Sequence, residues 1–150
     1  MSTEKKNYAI YSVIIINKTG TLQWMRDFSE KPMRRAENDP LYLASSFHGF
    51  SVVASQINPL LQDSDGILEI QSTNFVLQCL RTKTGAEFLA IASPQTSPLL
   101  KDFLQQLYVK YTDYVLKNPF IIPEMIIKST RFENKVRKLV NKTLNPQPQK

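Results

Sequence analysis

Few side chains in this chain of 150 residues could carry out chemistry. It has one histidine and one cysteine, His48 and Cys79. These two cannot supply the four nitrogen or sulfur ligands of a structural zinc site, and there is no second thiol for an intramolecular disulfide. We therefore expect no metal, no cofactor and no catalytic residue, although chemistry based on carboxylates alone stays open.

Loops that bind phosphate are also missing from the sequence. The four glycines lie more than ten residues apart, at Gly20, Gly49, Gly66 and Gly85. Neither GxGxxG nor GxxxxGK[ST] is therefore present, and these are the loops that hold dinucleotides and nucleoside triphosphates. The chain has no nucleotide-binding signature of its own.

The lone histidine and cysteine have simpler interpretations than catalysis. His48 could belong to a Ser-His-Asp triad, but the chain lacks a nucleophile-elbow sequence, so a packed or interface position on a helix is the better prediction. Cys79 alternates with Leu77 and Phe75 in a strand pattern, and a free cysteine in such a place is usually a small core residue. A redox or lipidation role is the lesser alternative.

The net charge of +6 is confined to the end of the chain. Residues 1–127 hold 12 basic and 12 acidic side chains, whereas residues 128–150 hold seven basic ones and Glu133. On a helix, Arg131, Lys135, Lys138 and Lys142 would form one basic stripe. Such a stripe is either a solvated helix face or a surface facing anionic lipid. Nucleic acid is disfavoured as a partner because no exposed aromatic residues are interleaved with these charges.

Turn signals and apolar patterns divide the chain into eight elements. We predict strands at 8–16, 22–26, 67–72, 75–83 and 87–92, with hairpin turns at Gly20, at 73–74 and at Gly85. Asp39-Pro40 and Ser97-Pro98 begin helices, and Thr130 with Glu133 fits a capping box for a third. The order ββ, helix, βββ, helix, helix favours a five-stranded sheet with helices on both faces.

Helical spacing predicts which side of each helix meets the sheet. For the first helix the predicted inner stripe is Leu43, Phe47, Phe50, Ala54 and Ile57. For the second it is Leu100, Phe103, Leu104, Leu107, Tyr111 and Tyr114, and for the third Phe132, Val136, Leu139 and Val140.

Two segments are candidates for contact with other proteins. Tyr42, Ser46, Gly49 and Val53 lie away from the predicted inner stripe of the first helix. A mid-helix glycine lowers helix stability by about 1 kcal/mol relative to alanine. Gly49 therefore indicates either close approach by a partner or a tolerated surface glycine, and the sequence does not favour one over the other. Asn118, Pro119 and Phe120 begin an apolar connector that runs to residue 127, which either folds on its own sheet or receives a neighbouring subunit.

Several stretches resemble the synbindin-type, or fourth-subunit, family of TRAPP, the transport protein particle. They are Val13–Gly20, Leu43–Phe50 with Gln56–Pro59, Gly66–Ile70, Thr82–Gly85, Tyr111–Phe120 and Arg131-Phe132. The resemblance covers residues 8–142, and the first-helix block and Lys117–Phe120 are its most specific parts. Animal members resembling this chain carry a PDZ-like insert after the second strand, for which Ser29–Asn38 leaves no room, so no role tied to that insert is inferred.

The resemblance implies an α+β, longin-like (SNARE-like) fold: a five-stranded antiparallel sheet with one helix on one face and two on the other. The domain would span 8–142, between a disordered leader (1–7) and a flexible tail (143–150). It also implies a core subunit of a TRAPP-type tethering complex, in contact with longin-family subunits and with a second family of small subunits. The composite surface would promote nucleotide exchange on a Rab-family GTPase.

The same resemblance places the protein in the cytoplasm, peripherally on Golgi and endoplasmic reticulum membranes, and no apolar run reaches the roughly 18–20 residues of a membrane-spanning helix. A sigma-like small chain of a coat adaptor, which binds cargo peptides, is the alternative with the same fold. A SNARE is disfavoured because no heptad-repeat coiled coil follows the domain.

Overall fold

The computed structural model describes residues 8–28, 39–57, 68–122 and 125–145. Five strands form one sheet: β1 (Ile10–Ile16), β2 (Leu22–Asp27), β3 (Glu69–Gln71), β4 (Val76–Arg81) and β5 (Glu87–Ala92). The helices are α1 (Asp39–Gln56), α2 (Ser97–Tyr111) and α3 (Thr130–Leu144). The predicted loop 29–38, the turn at Gly66, the leader 1–7 and most of the tail lie outside the described residues.

The sheet is antiparallel throughout, in the order β2-β1-β5-β4-β3. β1 and β5 occupy its centre, which explains why both sequences are apolar with almost no interruption. Gly20 and Gly85 have positive φ angles of 86° and 92° in the turns after β1 and β4, as the hairpin prediction requires. The predicted hairpins and the antiparallel sheet are confirmed.

The larger core lies between the sheet and the pair α2 and α3. All the residues predicted to face inward on these helices are buried except Tyr114, which is partly buried against the core. Phe132 of α3 meets Trp24 of β2 edge to face, with ring centroids 5.2 Å apart. α3 is therefore fixed against the edge strand β2 as well as against α2.

The capping prediction for α3 was wrong by one residue. Ser129 is the N-cap, and its hydroxyl accepts a hydrogen bond from the backbone N–H of Phe132 at 3.2 Å. Glu133 does not close a capping box, because its carboxylate accepts a hydrogen bond from Arg26 Nε at 2.9 Å. That contact between β2 and α3 lowers the pKa of Glu133.

The smaller core lies on the opposite face of the sheet, under α1. There Ala44 and Phe47 pack on Ile14, Leu77 and Leu89, together with neighbouring residues of β1 and β4. One helix on one face and two on the other, around a five-stranded antiparallel sheet, is the predicted longin-like α+β fold, which is confirmed.

The predicted inner stripe of α1 was wrong in part: Phe47 is buried and Leu43 packs against the smaller core, but Phe50 and Ile57 do not. The buried residues of the helix are Ala44, Phe47 and Ser51, whereas Phe50 and Ile57 are 68% and 74% exposed. Most of the large apolar side chains of α1 therefore face away from the sheet.

Candidate partner interfaces

The outer face of α1 carries the first set of predicted contact residues. Tyr42, Ser46, Gly49 and Val53 are all exposed, and their spacings of 4, 3 and 4 residues place them on one side of the helix. Phe50 and Ile57, which the sequence assigned to the core, extend the apolar part of this surface. We call these six residues the α1 outer face.

Gly49 has no packing function within the described chain. A Cβ atom built on it would meet no atom within 4 Å, and its φ angle is not in the left-handed region. The cost of a helical glycine, about 1 kcal/mol relative to alanine, is therefore not offset by a contact inside the described residues. Close approach by another chain remains the interpretation that gives this glycine a role.

An apolar groove adjoins the α1 outer face where the helix passes over β3, β4 and β5. Its volume is about 620 Å³. The lining side chains are mainly aromatic and aliphatic: Tyr11, Leu43, Ser46, Phe47, Phe50, Ile70, Asn74, Phe75, Leu77 and Ile91. Phe50 and Ser46 belong both to the groove and to the α1 outer face, so the groove and this face are continuous.

A buried polar cluster holds α1 on the sheet. Glu87 of β5 is 1% exposed, and its Oε1 accepts a hydrogen bond from Arg81 Nη2 at 2.8 Å. His48 Nδ1 lies 3.1 Å from the same oxygen, and Arg81 Nη2 also donates to the Ser51 hydroxyl. Two residues of α1 are therefore tied to a pair of oppositely charged residues on neighbouring strands.

His48 is packed, as predicted, and the sequence analysis missed Glu87 as its partner. The alternation of β5 held the signal, since Glu87 shares a sheet face with Leu89, which is buried under α1. Gly20 is the other neighbour of the histidine, because a Cβ there would lie 2.9 Å from His48 Cδ2. His48 thus fixes the distance between α1 and the first hairpin.

Cys79 is a core residue, as the strand pattern predicted. Burial, followed by the nearby Glu87 carboxylate, raises the pKa of its thiol to about 12. A thiol with this pKa is almost entirely protonated at neutral pH and is a poor nucleophile. Within the described residues, no group of three or more His, Cys, Asp and Glu side chains could hold a metal ion.

The connector after α2 carries the second set of predicted contact residues. Phe120 is 92% exposed at the tip of a turn, while Asn118 is partly buried and Pro119 is exposed. The Asn118 side-chain oxygen accepts a hydrogen bond from the Phe120 N–H at 3.0 Å, and the Asn118 carbonyl accepts one from Ile121 N–H at 3.2 Å. The turn therefore holds an apolar side chain in solvent.

The basic stripe lies beside this connector, on the face of the sheet opposite α1. A cleft of about 430 Å³ is shared by Asn118, Pro119 and Phe120 with Tyr114 and Arg131. A second cleft, of about 320 Å³, joins Tyr114 and Arg131 to the following basic residues, Lys135 and Lys138.

Tyr114 is the link that the sequence analysis missed. Both clefts contain it, and the Lys135 ammonium lies 5.7 Å from the centre of its ring. The fold thus brings together two predicted sets that are separate in sequence. Lys142 is exposed on α3 but lines neither cleft.

No helix within the described residues is both long enough and apolar enough to cross a bilayer. Fold and surfaces together define a longin-like α+β domain with exposed apolar surfaces on α1 and on the connector after α2.

The comparisons with known proteins agree with this class. The model of the Sybindin-like family matches residues 10–143. Trafficking protein particle complex subunit 4 of Dictyostelium discoideum is 40% identical over 131 residues, which are 87% of this chain and 96% of that protein. The Homo sapiens protein of the same name is 36% identical over 104 residues, 69% of this chain and 47% of that protein. The chain thus spans about half the length of the mammalian relatives.

A second subunit type is also related. Trafficking protein particle complex subunit 1 of Dictyostelium discoideum is 24% identical over 130 residues, 85% of this chain and 91% of that protein. The chain belongs to the Sybindin-like family, which confirms the resemblance found in the sequence.

Proposed function

We propose that this chain is a core subunit of a TRAPP-type vesicle tethering complex and that its α1 outer face binds a neighbouring subunit or the GTPase. The complex acts as a guanine nucleotide exchange factor for a Rab-family GTPase in traffic between endoplasmic reticulum and Golgi. The chain has no catalytic activity alone and works in the cytoplasm, on the surface of those membranes.

The observation that carries this proposal is the arrangement of α1. A helix that buries three residues and exposes Tyr42, Phe50, Val53 and Ile57 presents more apolar surface outward than inward. Large exposed apolar areas are typical of protein contact sites. Similarity to subunits 1 and 4 of the trafficking protein particle complex supports a second longin-family subunit as one of the partners.

A matched pair of substitutions tests the surface. Val53 on α1 and Val109 on α2 are 54% and 53% exposed, so arginine at either position disturbs the fold equally little. We expect Val53→Arg to weaken assembly with co-expressed partner subunits at least tenfold, while Val109→Arg leaves it unchanged. Equal assembly of both variants would contradict the proposal.

Gly49 gives a second test that separates the two interpretations of a helical glycine. Gly49→Ala removes the helix penalty and should raise the free energy of unfolding of the chain by up to about 1 kcal/mol. If a partner approaches closely, this more stable variant nevertheless assembles less well, and Gly49→Arg does not assemble. A tolerated surface glycine would leave assembly unchanged in both variants.

Nucleotide exchange is measured with a Rab-family GTPase loaded with fluorescent GDP. We expect no acceleration by the purified chain and acceleration by the assembled complex, reduced by Tyr42→Ala. A complex that assembles on cargo peptides and coat chains instead, without exchange activity, would favour the adaptor alternative.

A further inference from the structure

We propose that the connector tip and the neighbouring face of α3 form a membrane-binding surface in which Phe120 enters the interface of an anionic bilayer. The surface consists of Phe120 with Ile122, Met125 and Ile126, together with the basic residues Lys117, Lys128, Arg131, Lys135 and Lys138 of the connector region and α3. This inference rests on the proposed function, because a tethering subunit works at a membrane. It adds the class of lipid that is bound and the side chain that inserts.

The connector is anchored at Ile121 and at Ile127, and its described residues include several exposed apolar side chains. Ile121 packs against the larger core, and Ile127 is buried, with its N–H donating to the Gln23 carbonyl at 2.8 Å. Ile122, Met125 and Ile126 lie between these anchors and are exposed, and so is Phe120, which directly precedes the first anchor. Phe120 itself lies in the turn that is held by the two hydrogen bonds to Asn118, so it loses little backbone entropy when it inserts, which favours binding.

The cations around the tip are available for lipid headgroups. Asp113 pairs with Lys117, and Glu133 pairs with Arg26 and Arg137. Lys117 and Asp113 both line the first cleft, whereas within the described residues no carboxylate pairs with the other cations of the clefts, Arg131, Lys135 and Lys138. The one acidic residue in the connector sequence, Glu124, lies outside the described residues.

The composition of this surface favours a bilayer over a protein. Lysine is depleted in protein interfaces, where aromatic residues and arginine dominate. An apolar tip with basic residues beside it fits the boundary between headgroups and acyl chains, where the aromatic ring inserts and the basic side chains extend toward phosphate. The α1 outer face, by comparison, has aromatic and aliphatic residues and no lysine.

Vesicle binding by the assembled complex tests the proposal. We use phosphatidylcholine vesicles with about 30% phosphatidylserine, and phosphatidylcholine alone as the uncharged reference. Each cation near such a surface contributes about fivefold in affinity, from about 1 kcal/mol each. Arg131→Glu/Lys138→Glu should therefore weaken binding by about 25-fold or more. Lys83→Glu/Lys101→Glu, the same charge change at exposed positions elsewhere, should have little effect.

Insertion of the tip is measured separately. Phe120→Ala should weaken vesicle binding by about tenfold. In Phe120→Trp, vesicles should shift the emission to shorter wavelength, and lipids brominated on their acyl chains should quench it. The natural tryptophan, Trp24, is buried and adds a constant background.

Three results would overturn the inference. One is vesicle binding that is insensitive to Arg131→Glu/Lys138→Glu, and another is a Phe120→Trp emission that does not change on vesicles. The third is loss of subunit assembly by Phe120→Ala without lipid, which would make the connector a subunit interface. Exchange on a soluble GTPase without vesicles should be normal in the Phe120 variants. A wild-type complex that catalyses exchange but does not bind the anionic vesicles would therefore refute this inference and leave the proposed function intact.

Discussion

The pair Arg81 and Glu87 permits a sharp test of how α1 is held. Arg81→Met removes the cation and leaves the Glu87 carboxylate buried, with His48 as its remaining neighbour. Glu87→Leu removes the carboxylate and leaves the guanidinium. The double variant Arg81→Met/Glu87→Leu replaces the pair with apolar side chains of similar size.

The magnitudes follow from the burial of the two partners. Breaking a buried ion pair by deleting one partner costs about 3–5 kcal/mol. Glu87 is 1% exposed and cannot reach water, whereas Arg81 is 21% exposed and can turn its guanidinium outward. We therefore expect Arg81→Met to lower the free energy of unfolding by about 3 kcal/mol and Glu87→Leu by about half as much. Since apolar replacement of a whole pair is often neutral, the double variant should lie within about 1 kcal/mol of the wild type.

Urea unfolding followed by circular dichroism measures these differences. A loss of 3 kcal/mol corresponds to a fall in Tm of about 6–12 °C for a domain of this size. Hydrogen exchange gives a second readout, because the backbone amides of α1 should lose protection before those of α2. The reasoning fails if Glu87→Leu proves more damaging than Arg81→Met, or if the two single losses add in the double variant.

Three further outcomes are expected. Burial raises the pKa of the Cys79 thiol from 9.0 to about 12, so the folded protein should resist iodoacetamide. Rapid alkylation of the folded protein would contradict this. Above pH 9 the Cys79 thiol ionises in the unfolded chain but not in the folded one, so the free energy of unfolding should fall by up to about 1.4 kcal/mol per pH unit. Gly20→Ala places a Cβ 2.9 Å from His48 Cδ2 at a φ of 86°, and the urea midpoint should show a loss of about 1–2 kcal/mol; an unchanged midpoint would refute the strain. Phe132→Ala should lower the free energy of unfolding by about 3–5 kcal/mol and change the fluorescence of Trp24. A loss below about 1 kcal/mol would show that neighbouring side chains move to fill the cavity.

The elements that sequence predicts well are those with a local signal. β5 was predicted with its observed bounds, 87–92, because an apolar run lies between a glycine turn and Ser93-Pro94. The inner face of α3 was predicted correctly because its outer face is polar, so helical spacing separates Phe132, Val136 and Leu139 from the rest.

α1 shows where such reasoning fails. Its outer side carries large apolar residues as its inner side does, so the spacing of Phe47, Phe50 and Ile57 gave a plausible stripe, of which the sheet covers Phe47 and leaves the other two exposed. The true inner face includes Ala44 and Ser51, whose small side chains allow close approach to the sheet. Hydropathy cannot reveal an inner face of this kind, because it ranks residues by polarity and not by how closely their side chains allow the helix to approach the sheet.

The second candidate surface was predictable in parts and not as a whole. The sequence identified the exposed connector at Phe120 and the basic stripe from Arg131 to Lys142, each as a local pattern. Their contact through Tyr114 depends on how α2 and α3 pack, and no pattern along the chain carries that information. Tyr114 itself was assigned to the core of α2, which its partial burial bears out.

The wrong assignment of Phe50 and Ile57 to the core and the failure to predict Glu87 beneath α1 have a common cause, and this cause bears on function. A helix that met only the sheet would place Phe50 and Ile57 inward and hold no charged pair beneath it, since burying charges rarely adds stability. The sheet side of α1 instead has a small contact with polar groups that fix orientation, and the large apolar residues are left outside. Under the proposed function a second surface covers this helix, so assembly and the stability of α1 should be coupled. Protection of the α1 amides should therefore rise when the partner subunit binds, while that of α2 stays the same.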